Sequence, residues 1–346
     1  MNTGRESLHT HTVLSDGKLT HTEMFDLAES LGIRVIAFTD HDALPTSEVL
    51  EELEELKGRD TKWIIGIELT AGLPREVVGS ASLHIIGLFV DPENIALREH
   101  CVKAQADRVR RMEVMVGGLS RLGFHITEED CLDASGGESV GRPHIVEALS
   151  KYPENDVVME RIRKEMEEEG KVDPSVGNRY TLMMQGEVRH YPYTLLLSPT
   201  AFRSVYAEHS YMPDLDEAVS LIRDADGVAI LAHYFTVNRK LSLFDLERIL
   251  EEKRIDGAEV VYGLRQYATD AKDAIEKERK AVKEIVLRTG SLLGGGSDAH
   301  SEEDLRYYVD QAWFSNETVG LTQQIIESGR VSSRFSSLPP EGILGI

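Results

Sequence analysis

The sequence predicts an α/β fold in which βαβ units surround a parallel sheet and a mostly helical segment interrupts them. Three observations carry that reading. Over the first ninety residues, short apolar runs alternate with amphipathic helical patterns. The same rhythm returns from Asp214 onward. Between them, from about Pro92 to Pro213, it gives way to long charged helices and then an irregular stretch. The expected organisation is an α/β domain of residues 1–91 and 214–346 with an inserted, mostly helical subdomain of residues 92–213.

The elements follow in order. Thr20 to Leu31 reads as a helix and Arg34 to Phe38 as a strand; Trp63 to Ile67 and Leu83 to Val90 are further strands. Ile95 to Leu122 and Asp156 to Glu169 are helices, and the charged run Arg161 to Lys171 is a solvated helix face. Val228 to Leu231, Ala258 to Val261 and Ser291 to Leu293 complete the strands. Thr20 with Glu23 and Ser242 with Asp245 have the spacing of a capping box, which marks two helix starts. Tyr191 and Tyr193, on either side of a proline, are read as packing residues.

The chain has 346 residues, 41% hydrophobic and 28% charged, so it has material for a large buried core and is expected to fold throughout. Its net charge of −22 repels polyanions, which argues against long nucleic acid as a partner. A small phosphorylated substrate is compatible with that charge, because bound divalent cations reverse the field inside one pocket. The two cysteines, Cys101 and Cys131, form no C-x-x-C pair, so neither a disulfide framework nor a thiolate metal site is expected. No secretory leader or long apolar run is found; a cytoplasmic protein without a membrane partner is expected.

The chemistry is carried by residues at the ends of apolar runs. In Leu8-His9-Thr10-His11-Thr12, strand alternation puts both imidazoles on one face, and Asp16 lies in the turn that follows. Thr39-Asp40-His41-Asp42 follows Val35 to Phe38, and Glu68 follows Ile64-Ile65-Gly66-Ile67. Carboxyl ends of parallel strands are where α/β enzymes place their sites. His84 sits near the start of an apolar run, where a buried imidazole needs a hydrogen bond or a ligand. His233 closes Val228 to Ala232, and Asp298 and His300 follow Gly294-Gly295-Gly296, whose lack of side chains allows close backbone approach.

Together these residues resemble the polymerase and histidinol phosphatase (PHP) superfamily, metal-dependent phosphoesterases on a distorted (β/α)7 barrel. The resemblance rests on His9-Thr-His11, Ser15-Asp16-Gly17, Thr39-Asp40-His41, Gly66-Ile67-Glu68, His84, Ala232-His233 and Ser297-Asp298-Ala299-His300, in the family's order. It implies three divalent ions: one held by His9, His11, Glu68 and Asp298; a second by Glu68, His84 and His233; a third by Asp16, His41 and His300. Mixed imidazole and carboxylate ligands suit manganese, zinc or iron. Hydrolysis of a phosphate monoester by a metal-bridging hydroxide is the implied reaction, with Glu68 and Asp298 in the catalytic centre. Asp40 would orient His41 or move a proton.

Gly141-Arg142-Pro143-His144 resembles a segment of the smaller nucleotide-acting members. It implies that Arg142 and His144 bind the substrate phosphate. A nucleoside 3′,5′-bisphosphate or a short 5′-phosphorylated oligonucleotide is the substrate class so implied. A histidinol-phosphate phosphatase and a non-catalytic metal-bound module are the alternatives. His21, His100, His125, His190 and His209 match no family position and are read as surface or structural. The chain departs from the pattern at Tyr234, where many relatives have proline, and in the long segment from about Lys171 to Tyr211.

Overall fold

A computed structural model describes residues 4–79, 81–136, 139–185, 193, 196–198, 205–263, 269–329, 331 and 336–338. The chain forms two compact units, residues 1–103 with 212–346, and residues 104–211.

The first unit is an α/β fold of TIM-like kind, built on a curled seven-stranded sheet. Its strands β1 (Glu6–Ser7), β2 (Val35–Phe38), β3 (Lys62–Gly72), β4 (Ser82–Leu88), β5 (Val228–Leu231), β6 (Gly257–Val261) and β7 (Leu292–Gly295) lie side by side in sequence order. The edges of the sheet come together: Leu8 N–H donates to the Gly295 carbonyl at 3.1 Å, and Thr10 forms a parallel bridge with Ala299. Every residue of β2 and β5 is buried, the expected pattern for strands covered on both faces. Each fully buried isoleucine or phenylalanine there contributes about 1.5–3 kcal/mol over its exposed state.

One strand departs from the predicted parallel sheet. β4 runs antiparallel to both β3 and β5, while the other neighbouring pairs are parallel. The reason is chain length: residues 73–81 are all that link β3 to β4, and a parallel crossover needs about a dozen or more. The reversal matters for function. It brings His84, near the beginning of β4, opposite Thr70, near the end of β3, and so to the rim where the other strands finish.

Both predicted capping boxes are present. Thr20 accepts from Glu23 N–H and Glu23 from Thr20 N–H, opening the helix His21–Ser30; Ser242 and Asp245 do the same for Leu243–Glu251. Glu6, buried in β1, accepts hydrogen bonds from the Thr322 backbone and hydroxyl at 2.7 and 2.6 Å, which ties the helix Leu321–Glu327 to the sheet.

The second unit has its own apolar core, including Met115, Leu119, Leu149 and Ile162. Helices Glu128–Ser135, Arg142–Ser150, Asn155–Gly170 and Pro174–Gln185 belong to it, with the end of the long helix Ile95–Arg121. Met159, Ile162 and Met166 are the buried stripe of Asn155–Gly170, and its charged residues form the open face. Tyr193 packs here against Phe124 and is buried, as read from the sequence. Tyr191 and His190 lie outside the described residues. Cys101 and Cys131 are both buried. Among the described residues no helix is long and apolar enough to cross a membrane.

Candidate metal centre

Each strand delivers its polar residue to the same rim. β1 is short, so His9 and His11 lie just beyond it, held by the pairing of Thr10 with Ala299 and by the Asp298 N–H, which donates to the His9 carbonyl at 3.0 Å. The glycine run before Asp298 works as predicted: a Cβ on Gly296 would lie 2.4 Å from the His9 nitrogen. Asp42, His233 and Asp298 have φ of 47°, 22° and 51°, in the left-handed region that non-glycine residues avoid. Strain of about 1–3 kcal/mol per residue is characteristic of functional sites, where the surrounding structure enforces it.

Glu68 lies at the centre. Its Oε1 is 2.9 Å from His84 Nδ1, 3.1 Å from His233 Nε2 and 3.5 Å from His9 Nε2. Its Oε2 is 2.8 Å from His41 Nδ1 and 3.3 Å from His11 Nε2. Asp298 Oδ1 stands 3.3 and 3.2 Å from His9 Nε2 and His11 Nε2, which are themselves 3.1 Å apart. On the other side, Asp16 is 3.3 Å from His300 Nε2 and 3.8 Å from His41 Nε2. All nine residues singled out from the sequence as ligands are thus brought together, in four groups whose donor atoms lie within 4.8 Å of one another. Proximity also joins His11 to Asp16, His41 and His300, a grouping that cuts across the three predicted sets.

The donor set fits divalent cations. Atoms sharing one ion at bond lengths of about 2.1 Å stand about 3–3.5 Å apart, the spacing seen around Glu68 and Asp298. Lone-pair-bearing nitrogens of His9 and His11 facing each other at 3.1 Å repel unless a proton or cation lies between them. The fields agree. Burial opposes ionisation of Glu68, yet His41, His84 and His9 hold its carboxyl well below the usual range. Burial likewise opposes charge on His300, but Asp16 and Asp298 raise its pKa to about 10. His11 is pushed down to about 4 by burial and by the neighbouring His300 and His41. His84 and His300 are the most open of the nine, with 27% and 30% of their side chains exposed, so the cluster is reachable from solvent there.

A family model described as the PHP domain matches residues 7–283. The chain belongs to the PHP family. Among curated relatives, it is 25% identical over 323 residues to a 3′,5′-nucleoside bisphosphate phosphatase of Chromobacterium violaceum, covering 88% of this chain and 94% of that one. It is 24% identical over 304 residues to a phosphoribosyl 1,2-cyclic phosphate 1,2-diphosphodiesterase of Eggerthella lenta, covering 86% of this chain and 94% of that one. A crystal structure from Bifidobacterium adolescentis, of a provisionally named metal-dependent phosphoesterase, shares the fold: TM-score 0.65, 24% identity, 95% of this chain and 97% of that one.

The PHP domain contains one central residue that the sequence reading passed over. Glu259, buried in β6, places Oε1 3.0 Å from His9 Nδ1 and accepts the His233 backbone N–H on Oε2 at 2.8 Å. The available signal was a carboxylate inside the apolar strand Gly257 to Val261. By fixing the tautomer and direction of His9, Glu259 sets what its Nε2 can bind. Glu259→Gln is expected to lower metal affinity about 10- to 100-fold. Metal content after dialysis against limiting manganese checks this; retention equal to the wild type would refute it.

Asp40 takes a different place from the one expected. Its oxygens accept from Thr12 N–H, Thr12 hydroxyl and Ser15 hydroxyl at 2.8, 2.8 and 2.6 Å, so it anchors the loop carrying Asp16 rather than the His41 ring. Tyr234, the residue at which the chain departs from the family pattern, is buried and donates its hydroxyl to the Leu241 carbonyl at 2.5 Å. His125 stacks on Tyr152, and His209 bonds Asp107 at 2.8 Å.

Within the second unit, Arg142 opens the helix Arg142–Ser150 and is exposed. His144 is buried, its Nδ1 accepting from Gly141 N–H at 2.9 Å. Arg108 comes close to this helix start, with Nη1 4.0 Å from where a Cβ on Gly141 would sit. Arg111 is lowered to about 10, mainly by burial and then by the charges of Arg108 and Arg142. Three guanidinium groups therefore share one neighbourhood in an otherwise acidic protein.

Proposed function

We propose that this PHP protein hydrolyses phosphate monoesters with divalent metal ions, acting on a nucleotide: a nucleoside 3′,5′-bisphosphate or a short 5′-phosphorylated oligonucleotide. The observation that carries the reading is the convergence of three carboxylates and six imidazoles around Glu68 and Asp298. Three ions, of manganese, zinc or iron, would be held by His9, His11, Asp16, His41, Glu68, His84, His233, Asp298 and His300. When bound they supply Lewis acidity for phosphoryl oxygens and lower the pKa of water. The sheet is read as the family's distorted (β/α)7 barrel, and residues 92–213 as an inserted helical subdomain.

The substrate class is supported by the relative named a 3′,5′-nucleoside bisphosphate phosphatase and by the arginines around Arg142. In this reading Arg142 forks onto a phosphate, and His144, with Nδ1 already accepting from Gly141, donates from Nε2 to the phosphate or the leaving group.

Two measurements test the proposal. The manganese-loaded protein, assayed against a 3′,5′-bisphosphate, a 5′-phosphorylated dinucleotide and histidinol phosphate, is expected to prefer the first two. Arg142→Ala is expected to raise KM about 10- to 100-fold through loss of a charge-assisted contact of about 1.5–3 kcal/mol. Absence of phosphate release above an Asp298→Asn control, with metal bound, would instead indicate a non-catalytic module.

A further inference from the structure

Thr39-Asp40-His41-Asp42 does more than deliver one imidazole. The two aspartates make matching contacts on either side of His41. Asp40 accepts both the backbone N–H and the hydroxyl of Thr12, at 2.8 Å each. Asp42 accepts both the backbone N–H and the hydroxyl of Thr70, at 2.9 and 2.8 Å. Each carboxylate is also faced by a buried histidine from a helix: His21 Nε2 lies 3.7 Å from Asp40, and His100 Nε2 lies 3.5 Å from Asp42.

The clamped threonines stand beside the metal-binding candidates. Thr12 follows His11, and Ser15, which donates to Asp40 at 2.6 Å, precedes Asp16. Thr70 is two residues beyond Glu68 on β3. The backbone joins the same pieces: Glu68 N–H donates to the Asp40 carbonyl at 3.1 Å, and Asp42 N–H to the Glu68 carbonyl at 2.9 Å. Asp42 holds its clamp at φ 47°, a strained conformation that its bonds to Thr70 help to enforce. A carboxylate taking two donors from one residue fixes both its main chain and its side chain, which a single bond does not.

We propose that Asp40 and Asp42 are a pair of positioning residues, backed by His21 and His100, that hold His11 and Asp16 on one side of His41 and Glu68 on the other in metal-binding geometry. The inference concerns metal binding and rests on the proposed centre, but not on the identity of the substrate. An asparagine at either site removes the charge and presents an NH2 where a carboxylate oxygen accepted, so the threonine hydroxyl must turn from donor to acceptor and the clamp loses its charge-assisted bonds.

The test is manganese affinity of the full chain, measured by competition with a chromophoric chelator, alongside thermal stability of the chelated protein. Asp40→Asn and Asp42→Asn are each expected to weaken manganese binding about 10- to 100-fold. Thr12→Val and Thr70→Val, milder changes that remove only the hydroxyl, are expected to weaken it in the same direction, and Thr12→Ser and Thr70→Ser to restore it. In the double variants Thr12→Val/Asp40→Asn and Thr70→Val/Asp42→Asn the losses are expected to be less than multiplicative, because both changes act on the same contact. Affinities within threefold of the wild type for all four single variants, or strictly multiplicative losses in both doubles, would overturn the proposal. Intact metal binding with no turnover on any phosphate ester would count against the proposed activity and leave this inference standing.

Discussion

Glu68→Gln is expected to lower kcat/KM on a phosphate ester at least about a thousandfold, or ~4 kcal/mol of barrier. Five imidazoles, from His9, His11, His41, His84 and His233, lie 2.8 to 3.5 Å from its two oxygens. The side chain is fully buried, and Oε2 has no hydrogen-bond donor among the described residues. A glutamine removes the charge that the imidazoles and any shared cations need. It also aims an N–H donor at nitrogens placed to bind metal. Two of the four candidate groups contain Glu68, so the loss spreads across the centre instead of emptying one position. Glu68→Asp keeps the charge but withdraws it by one methylene, and an intermediate loss is expected. Metal content and turnover measured on the same preparations decide the matter: a Glu68→Gln protein with full metal and turnover within tenfold of the wild type would remove Glu68 from its central role.

The residues that form the centre were readable because each ends or opens an apolar run, and a polar side chain in that position needs a reason. Burial patterns of β2 and β5 were readable for the same cause, their apolar runs being short and unbroken by a polar residue. Direction was not: the run Leu83 to Val90 has the same pattern whether the strand is parallel or antiparallel. Only the short link 73–81 carries that information. Glu259 escaped notice because a carboxylate inside a strand has no local partner; its meaning comes from His9, 250 residues earlier in the chain. Sequence adjacency pairs Asp40 with His41, as its orienting group or in proton transfer, whereas its hydrogen bonds go to Thr12 and Ser15, reached only once β1 and β2 pair. His21 and His100 match no family position and read from the sequence as surface or structural. Their burial against Asp40 and Asp42 depends on how two helices pack, which spacing alone does not specify.

Metal loading is expected to stabilise the first unit strongly. Three carboxylates and six imidazoles crowded at one rim repel among themselves unless positive charge is shared between them, and without metal the cluster gains that charge by protonating histidines such as His300. The unfolded chain cannot assemble the set, since its members are spread from His9 to His300. A ligand that binds only the folded state adds RT ln(1 + [L]/Kd), about 4 kcal/mol per site at a thousandfold excess over Kd. At about 2–4 °C per kcal/mol for a unit of this size, one filled site raises Tm by about 8–16 °C, and further sites raise it more. Calorimetry of the chelated and manganese-saturated protein measures the shift, and Glu68→Gln serves as the control that is expected to lose most of it. A shift below about 2 °C at saturating manganese, or one equally large in Glu68→Gln, would show that these nine residues do not form the metal centre.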